Sequence, residues 1–284
     1  MRTAIILVSL LFPASALAEG GFGYARASSQ LERDSRPARY QPLNLIDGRA
    51  ATAWCEGAPG DGVGQRVVIG FKAPVSIDEV RITNGEASSR QAFKANNRVR
   101  ILTLSSEPAR HTVTLSDAQR PQEIKLGKPL EAERVVVEIQ EVFRGEGEED
   151  ATCLTDLVFV SGGKPLNGPA LAGKLGSREG AIPLMGSWYS GLEGAPERFL
   201  DFYFDKTFRY QHKPFDPEEP GEEIHGEYAF DGKRLRLKPS GKDWVEATVR
   251  LTAEESKDGL PRAKLVVDSE PLSGSLARIW SDQP

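Results

Sequence analysis

The sequence predicts an all-β fold divided between two small domains. Glycine and proline are abundant, at 28 and 19 of 284 residues, and turn residues recur about every eight to twelve positions, as in sandwiches and barrels. Between the turns, short segments alternate apolar and polar residues, and few segments have a helical period. The chain is also too long for one small core and suits two domains of roughly 100 to 150 residues each.

The first 18 residues have the layout of a secretory signal peptide. Arg2 supplies the positive charge, an apolar run extends from Ala4 to Phe12, and Ala16-Leu17-Ala18 forms the predicted cleavage site. The apolar run is shorter than the roughly 20 residues of a transmembrane helix, and we expect no integral membrane segment and no lipid attachment. The prediction is therefore export to the periplasm or the extracellular space. The alternative is an uncleaved anchor.

A segment rich in glycine, proline and alanine, residues 161–180, is predicted to be a linker. Residues 20–160 before it contain seven or eight strand-like segments, which suit an antiparallel sandwich or jelly roll. Residues 181–284 after it contain about eight short strand-like segments joined by tight-turn sequences such as Asp231-Gly232-Lys233. This second pattern predicts a small antiparallel β-barrel.

Charge and cysteine content narrow the function. The formal net charge is −5, and loss of Arg2 with the signal peptide would make it −6. A net negative charge opposes binding to nucleic acid or to an anionic membrane by charge alone. Cys55 and Cys153 are the only cysteines, and in an oxidising compartment we expect them to form a disulfide. Two free thiols in a catalytic or metal site are the alternative, but no CxxC spacing and no nearby histidine support it.

The most specific pattern lies in the first predicted domain. In order, it comprises Ala27-Ser28-Ser29, Tyr40, Asn44-Leu45-Ile46-Asp47-Gly48, Thr52-Ala53-Trp54, Glu56-Gly57 and Gly60-Asp61-Gly62-Val63-Gly64, then a strand ending at Phe71. This pattern resembles the discoidin branch of the galactose-binding-like fold, and more narrowly the NADase-type glycan-binding domain. The resemblance covers nearly all of residues 20–160. It implies a jelly-roll sandwich that recognises a glycan, although discoidin-like folds bind many kinds of ligand.

The resemblance also implies a structural cation. Carried onto this sequence, its ligands are Asp47, Thr52 and Asp156, with backbone carbonyls near Asn44 and Arg49. Ca²⁺ takes six to eight oxygen ligands and accepts carbonyls beside one or two carboxylates, so Ca²⁺ is the expected ion. Asp156 stands where the family more often has glutamate, and its side chain is shorter. The alternative is that Asp47 caps its own turn and Asp156 is a surface acid.

Trp54 and Glu56 are candidate ligand-binding residues. An aromatic face can stack on a sugar ring, and a carboxylate accepts hydrogen bonds from sugar hydroxyls. The alternative, which the adjoining cysteine and glycine-rich turn favour, is that Trp54 packs in the core. Loops such as residues 86–94 are equally good candidates for the ligand site.

In the second domain, Gly186-Ser187-Trp188 near the start and Arg278 near the end resemble the lipocalin-like barrels. In those barrels an arginine lies across a tryptophan and closes the barrel floor. The resemblance implies a closure pair of Trp188 and Arg278, with a cation over an indole ring contributing about 0.5 to 2 kcal/mol.

No pattern in the sequence indicates catalysis. His111, His212 and His225 are the only histidines, and none lies in an HExxH or Ser/His/Asp setting. We expect each histidine to be an ordinary strand residue. The alternative is that His212 and His225 face each other across a hairpin and hold a metal. We therefore expect an exported, non-catalytic binding protein whose partner is a glycan or an extracytoplasmic protein. The alternatives are an enzyme or a lipocalin-like ligand carrier whose activity resides in the second domain.

Overall fold

A computed structural model describes residues 21–32, 34–147, 150–167, 184–191, 196–255, 261–267 and 279–282. The predicted signal peptide, most of the predicted linker and Arg278 lie outside these residues. The strands of the first domain are β1 (Phe22–Ala27), β2 (Trp54–Cys55), β3 (Arg66–Asn84), β4 (Asn97–Ser106), β5 (Ala109–Thr114), β6 (Gln122–Phe143), β7 (Thr152–Ser161) and β8 (Lys164–Pro165). A 3-10 helix, Pro42–Ile46, and one short helix, α1 (Arg90–Ala95), accompany them. None of the helices described is long and apolar enough to cross a membrane.

The strands of the second domain are β9 (Gly186–Ser190), β10 (Glu197–Phe202), β11 (Thr207–Lys213), β12 (Glu222–Phe230), β13 (Arg234–Pro239), β14 (Val245–Glu255), β15 (Pro261–Val267) and β16 (Ile279–Asp282). Each pairs antiparallel with the next, and β16 pairs with β9, so the sheet closes into a barrel.

The first domain is built around two long strands, β3 and β6, which pair antiparallel. The order of strands across the sheet is β1-β3-β6-β4-β7-β2, and β7 also pairs with β3. Register shifts between Gly70 and Val75, and again between Ile77 and Glu79, interrupt the β3–β6 ladder. Such irregularities bend strands and increase their twist, which allows one set of strands to enclose a core. The predicted all-β jelly-roll sandwich is confirmed.

The core of this sandwich follows from the alternation of its strands. In β3, Val67 and Ile69 are fully buried, and Phe71 packs edge-on against Phe159 of β7 with ring centroids 5.6 Å apart. Ile77, beyond the bend, is fully buried as well. Burial of each such side chain contributes roughly 1.5 to 3 kcal/mol to folding, so the alternating pattern supplies most of the driving force for the sandwich.

Side chains fill the described part of the barrel interior. In β13, Leu235 and Leu237 point inward and are fully buried, whereas Arg234 and Arg236 point outward and are exposed. Trp188, Phe202, Phe208, Tyr210 and Tyr228 complete much of the same core. This filling matches small eight-stranded barrels, whose interiors are just wide enough for side chains. The likeness to lipocalins stays a prediction.

A cation does lie over Trp188, but it comes from the first domain. Trp188 is fully buried and its indole Nε1–H donates to the carbonyl of Leu184 at 2.8 Å. The guanidinium carbon of Arg26, in β1, lies 4.5 Å from the centroid of the indole ring. The predicted partner, Arg278, lies outside the described residues, so that pairing stays a prediction.

The barrel packs directly against strand β1, which is at the edge of the first sheet. The backbone N–H of Phe204 donates to the carbonyl of Gly23 at 2.9 Å, and the ring of Phe204 lies 5.5 Å from that of Phe22. Lys72 forms an ion pair with Asp205. An edge strand exposes unpaired backbone groups that favour aggregation, and the barrel covers this one. The two domains are therefore joined by packing as well as by the chain.

Gly23 allows the barrel to approach β1 closely, because it has no side chain. A Cβ atom at Gly23 would lie 2.8 Å from Cδ1 of Tyr203 and 3.1 Å from the carbonyl oxygen of Gly70. We expect Gly23→Val to lower the free energy of unfolding by about 1 to 3 kcal/mol, as overpacking does, measured by urea unfolding. Gly127→Val is the matched control, because a Cβ there meets nothing within 4 Å. Equal stability of the two variants would show that the domains do not pack as described.

Candidate functional site

The loops at one end of the first domain converge where β3 ends and where β4 and β7 begin. We call residues 56–65, 85–96, 144–147 and 150–151 the loop end. The hydroxyl of Thr152 donates to the carbonyl of Asp61 at 2.7 Å, and the backbone N–H of Gly147 donates to the carbonyl of Ala95 at 3.0 Å. The contacts with the barrel described above are made by β1 and its neighbours. The loop end is therefore a separate, pre-arranged surface.

The disulfide lies at the base of the loop end. Cys55 and Cys153 are opposite each other in the β2–β7 pair, are bonded, and are fully buried. The predicted disulfide is confirmed. They pack with Tyr40, Ala53 and Leu31 in a small apolar cluster. Because both sulfur atoms are bonded, neither serves as a thiolate ligand for a metal.

Trp54 and Glu56 flank the disulfide and are both buried. Trp54 is 1% exposed, and its indole N–H donates to the carbonyl of Ser29 at 3.1 Å. Glu56 is fully buried, and its two carboxylate oxygens accept backbone N–H bonds from Ala58 at 2.8 Å and Thr152 at 3.0 Å. Burial raises the pKa of Glu56, and these bonds oppose the rise. In this geometry the pair anchors the loops and presents no face to a ligand.

Glu86 is the acidic residue that the structure places at the loop end beside the disulfide. Its carboxylate accepts a bond from the amide of Asn96 at 2.7 Å. It also lies within 4.8 Å of the Cys55 and Cys153 sulfur atoms. Tyr40 packs with the same two cysteines. Burial raises the pKa of Tyr40, and the negative charge of Glu86 raises it further.

Arg39 completes this group. Its guanidinium carbon lies 4.7 Å from the centroid of the Tyr40 ring, a cation–π contact. The Nη1 atom of Arg39 also lies 3.3 Å from a carboxylate oxygen of Glu32. Tyr40 connects Arg39 to the side of the group that holds Glu86 and Asn96, so the four residues place a carboxylate, an amide and a guanidinium on one partly exposed surface. We call it the Glu86 cluster. The sequence indicated only the loop at residues 86–94. Tyr40 was part of the family pattern without an assigned role, and Arg39 and Asn96 are brought there by folding.

The backbone beside Glu86 is held rigidly. Gly85 has φ 65°, and a Cβ atom there would lie 2.6 Å from Cγ of Arg98 and 2.8 Å from the ring of Phe93. The fully buried side chain of Asn84 accepts N–H bonds from Gly85 and Val99, both at 2.9 Å. Arg98, itself buried, binds Asp117 through two nitrogens at 2.9 and 2.6 Å. Such pre-organisation reduces the entropy lost when a ligand binds.

The predicted cation ligands also come together. Both carboxylate oxygens of Asp47 accept from the hydroxyl of Thr52, at 3.0 and 2.9 Å, and that hydroxyl lies 3.1 Å from the carbonyl oxygen of Arg49. Asp156 accepts a bond from the backbone N–H of Gly48 at 3.2 Å. Asn44 is buried nearby, and its side-chain amide donates to the carbonyls of Arg39 and Ala53.

Two carboxylates in one partly buried site repel each other. Burial raises the pKa of Asp156 to about 7, and the negative charge of Asp47 adds to the rise. Burial likewise raises the pKa of Asp47, against its bonds to Arg49 and Thr52. A bound divalent cation would relieve this repulsion. Oxygen ligands of this kind, two carboxylates, a hydroxyl and a carbonyl, fit Ca²⁺.

The two histidines proposed as a metal pair do not face each other. In the β11–β12 ladder, His225 is opposite Arg209 and His212 is opposite Glu222. The ring Nε2 of His225 instead lies 2.6 Å from a carboxylate oxygen of Glu223. The alternative in which His212 and His225 meet across the hairpin is therefore excluded, because the strand register separates them by three residues.

The raised pKa of Asp156 predicts a pH dependence of stability. A carboxyl group whose pKa is higher in the folded state than in the unfolded state binds an extra proton on folding, so stability falls as pH rises from about 4 to about 7. In the presence of EDTA, we expect the unfolding temperature to fall between pH 5 and pH 8, and Asp156→Asn to flatten this part of the profile. Differential scanning calorimetry measures both. An unchanged slope in the variant would mean that Asp156 is not the group responsible.

Comparisons with known proteins place the first domain in a family. Residues 18–160, half of the chain, match the family model described as the NAD glycohydrolase translocation F5/8 type C domain. No curated protein matches the sequence.

Several solved structures are similar to this chain. A family 32 carbohydrate-binding module of Clostridium perfringens NanJ, solved with galactose, is 16% identical, with a TM-score of 0.35, over 48% of this chain and 90% of that chain. A second module from Clostridium perfringens, solved with GalNAc-β-1,3-galactose, is 18% identical, with a TM-score of 0.37, over 52% and 100%. The arabinofuranosyltransferase AftD from Mycobacteria is 21% identical, with a TM-score of 0.39, over 49% of this chain and only 11% of that chain.

The match over residues 18–160 confirms the resemblance on which the sequence-based prediction of a discoidin-like domain was built. The chain belongs to the family of the NAD glycohydrolase translocation F5/8 type C domain.

Proposed function

We propose that this chain is an exported, non-catalytic binding protein that recognises a carbohydrate through the loop end of its first domain. The observation that carries the proposal is the Glu86 cluster. It places a carboxylate, an amide and a guanidinium on rigid loops, at a surface that the contacts between the domains leave uncovered. Membership of the F5/8 type C family is consistent with such a role.

The chemistry of the cluster suits sugar hydroxyls. A hydroxyl both donates and accepts, so one sugar hydroxyl can donate to Glu86 and another can accept from the Arg39 guanidinium. Both amide hydrogens of Asn96 are already donated, to Glu86 and to the carbonyl of Ala92, which leaves its Oδ1 as an acceptor. Hydrogen bonds that involve a charged partner are roughly twice as strong as neutral ones. The Tyr40 ring, which Arg39 covers, supports that guanidinium and is not itself the stacking face. Val63, at the loop end and 52% exposed, is available for apolar contact with a sugar ring.

A structural Ca²⁺ is part of the proposal. Asp47, Thr52 and Asp156 would hold it together with the Arg49 carbonyl. Bound there, the ion would neutralise the two carboxylates. Its effect would be to fix the 3-10 helix at Pro42–Ile46 against β7, because Asp47 follows that helix and Asp156 lies in β7. Its role would be structural, since nothing in this arrangement assigns it to a reaction.

The alternatives that place an enzyme or a ligand carrier in the second domain remain hypotheses. The carrier requires an apolar cavity inside the barrel. Over the described residues, that interior is occupied by buried side chains such as Trp188, Phe202 and Tyr228. No feature of the described barrel strands favours either alternative over the binding function of the first domain.

The sugar site is tested by substituting Glu86. Replacement by glutamine keeps the shape and removes the charge, so we expect Glu86→Gln to weaken binding of the best sugar found on a glycan array about tenfold or more, a loss of roughly 1.4 kcal/mol or more. Isothermal titration calorimetry measures the affinity. The control, Glu123→Gln, removes the same charge from an exposed site on β6 and should leave the affinity unchanged. Equal affinities for both variants would contradict the proposal.

The cation site is tested by thermal unfolding with and without metal. A ligand that binds only the folded state stabilises it, by about 2.7 kcal/mol at a hundred times its dissociation constant. We expect Ca²⁺ to raise the unfolding temperature of the wild-type protein, and Asp47→Asn to abolish the rise. The exposed control Asp243→Asn should respond as wild type does. No response of the wild-type protein to Ca²⁺ would rule out the site.

A further inference from the structure

A second candidate site lies in the cleft between the two domains, away from the loop end. The cleft has a volume of about 500 Å³, which lies in the range of small-molecule sites. One wall comes from the first domain and includes Tyr24, Phe71 and the β4–β5 turn at Ser106. The other comes from the outer face of β9, β10 and β11.

The wall on the barrel side carries a buried ion pair. Asp201 and Arg209 are opposite each other in β10 and β11, and their charged atoms lie 2.8 Å apart. Both are at least nine-tenths buried. They point away from the barrel core, since their neighbours Leu200 and Phe202 fill that core. Arg209 Nη2 also lies 3.4 Å from an oxygen of Glu133 in β6, so the ion pair extends to the first domain across the cleft. A buried ion pair contributes little net stability compared with well-packed apolar residues, and this one places charged groups in the wall of the cleft.

The contacts of Asp201 leave one acceptor for a ligand. Arg209 Nε donates to Oδ2 at 2.9 Å, Arg209 Nη2 lies 2.8 Å from the same oxygen, and the Tyr203 hydroxyl donates to it at 3.4 Å. All of these contacts use Oδ2, so Oδ1 is the atom through which Asp201 would accept a hydrogen bond from a ligand. Burial raises the pKa of Tyr24 and of Tyr203, which keeps both phenols as neutral donors.

The remaining lining is polar, aromatic and balanced in charge. Phe199 lies under the ammonium of Lys213 at 4.7 Å and beside Tyr189, with ring centroids 5.3 Å apart. The acidic residues that line the cleft are Glu107, Glu133 and Asp201, and the basic residues are Arg134, Arg209 and Lys213. Equal numbers of acids and bases favour a neutral ligand over an ion. Aromatic residues in the walls, together with many fixed hydrogen-bond donors and acceptors, favour a ligand rich in hydroxyl groups.

We propose that this cleft between the domains binds a neutral, polyhydroxylated small molecule of the size of a mono- or disaccharide. This goes beyond the proposed function, because it uses none of the Glu86 cluster. It also gives the second domain a part in binding: β9, β10 and β11 supply half of the site, so neither domain holds it alone.

The test uses the full mature chain and two variants that fill the cleft from opposite walls. Gln211→Trp projects from β11 and Ser106→Trp from the β4–β5 turn; Gln211 and Ser106 both line the cleft and are partly exposed. Arg236→Trp, on the exposed face of β13, is the matched control. The probes are glucose, galactose, mannose, N-acetylglucosamine, N-acetylgalactosamine, lactose, maltose and cellobiose at millimolar concentration, observed by saturation-transfer difference NMR and titrated by calorimetry.

To remove any contribution of the loop end, the cleft variants are made in the Glu86→Gln background. There we expect at least one probe to bind saturably, with affinity reduced at least tenfold by adding either cleft substitution and unchanged by adding Arg236→Trp. Two results would overturn the proposal: no probe binds, or binding persists in a folded cleft variant. Near-ultraviolet circular dichroism shows which variants are folded. Binding at the loop end is weakened by Glu86→Gln, whereas binding in the cleft is weakened by the cleft variants. Failure of the loop-end proposal and failure of the cleft proposal therefore give different results.

Discussion

The disulfide between Cys55 and Cys153 is the constraint on which the loop end depends. It joins two-residue β2 to β7, and β2 is too short to hold its place by backbone pairing alone. The residue after Cys55 and the residue before Cys153 then fasten the loops: the Glu56 carboxylate accepts from the backbone N–H of Thr152, and the Thr152 hydroxyl donates to the carbonyl of Asp61. Closing a loop of 98 residues also removes roughly 4 to 5 kcal/mol of unfolded-state entropy in the chain-entropy model. The Glu86 cluster rests on this base.

Strand β1 connects the two domains, as the disulfide fixes the loop end. It is an edge strand of the first sheet, and the barrel covers it through the backbone bond at Gly23 and the cation–π contact of Arg26 with Trp188. Because Trp188 belongs to the barrel core, the first domain contributes to closing the second. This arrangement creates the cleft on one side of β1 and leaves the loop end open.

Patterns in the sequence predicted much of this structure. What they missed depends on contacts between residues that are distant in the sequence and come together only on folding. Alternation predicted the strands, the cysteine count predicted the disulfide, and the family resemblance predicted that Asp47, Thr52 and Asp156 lie together. Burial was harder to predict for Glu56 than for Trp54. The neighbouring cysteine and glycine-rich turn favoured a core position for Trp54, whereas Glu56 looks like a sugar-binding residue by type and yet is fully buried. Arg39, which stacks on Tyr40, and Asn96, which donates to Glu86, are 57 positions apart and join one cluster only in the folded chain. The pairing of Arg26 with Trp188 crosses between domains, which no local pattern encodes.

The measurement that tests the central claim most directly is a crystal structure of the mature chain with the sugar that binds it best. The account predicts the sugar at the loop end, with one of its hydroxyl groups within hydrogen-bond distance of the Glu86 carboxylate and another of Asn96 or Arg39. A sugar bound elsewhere on the first domain, with the Glu86 cluster free of it, would contradict the account.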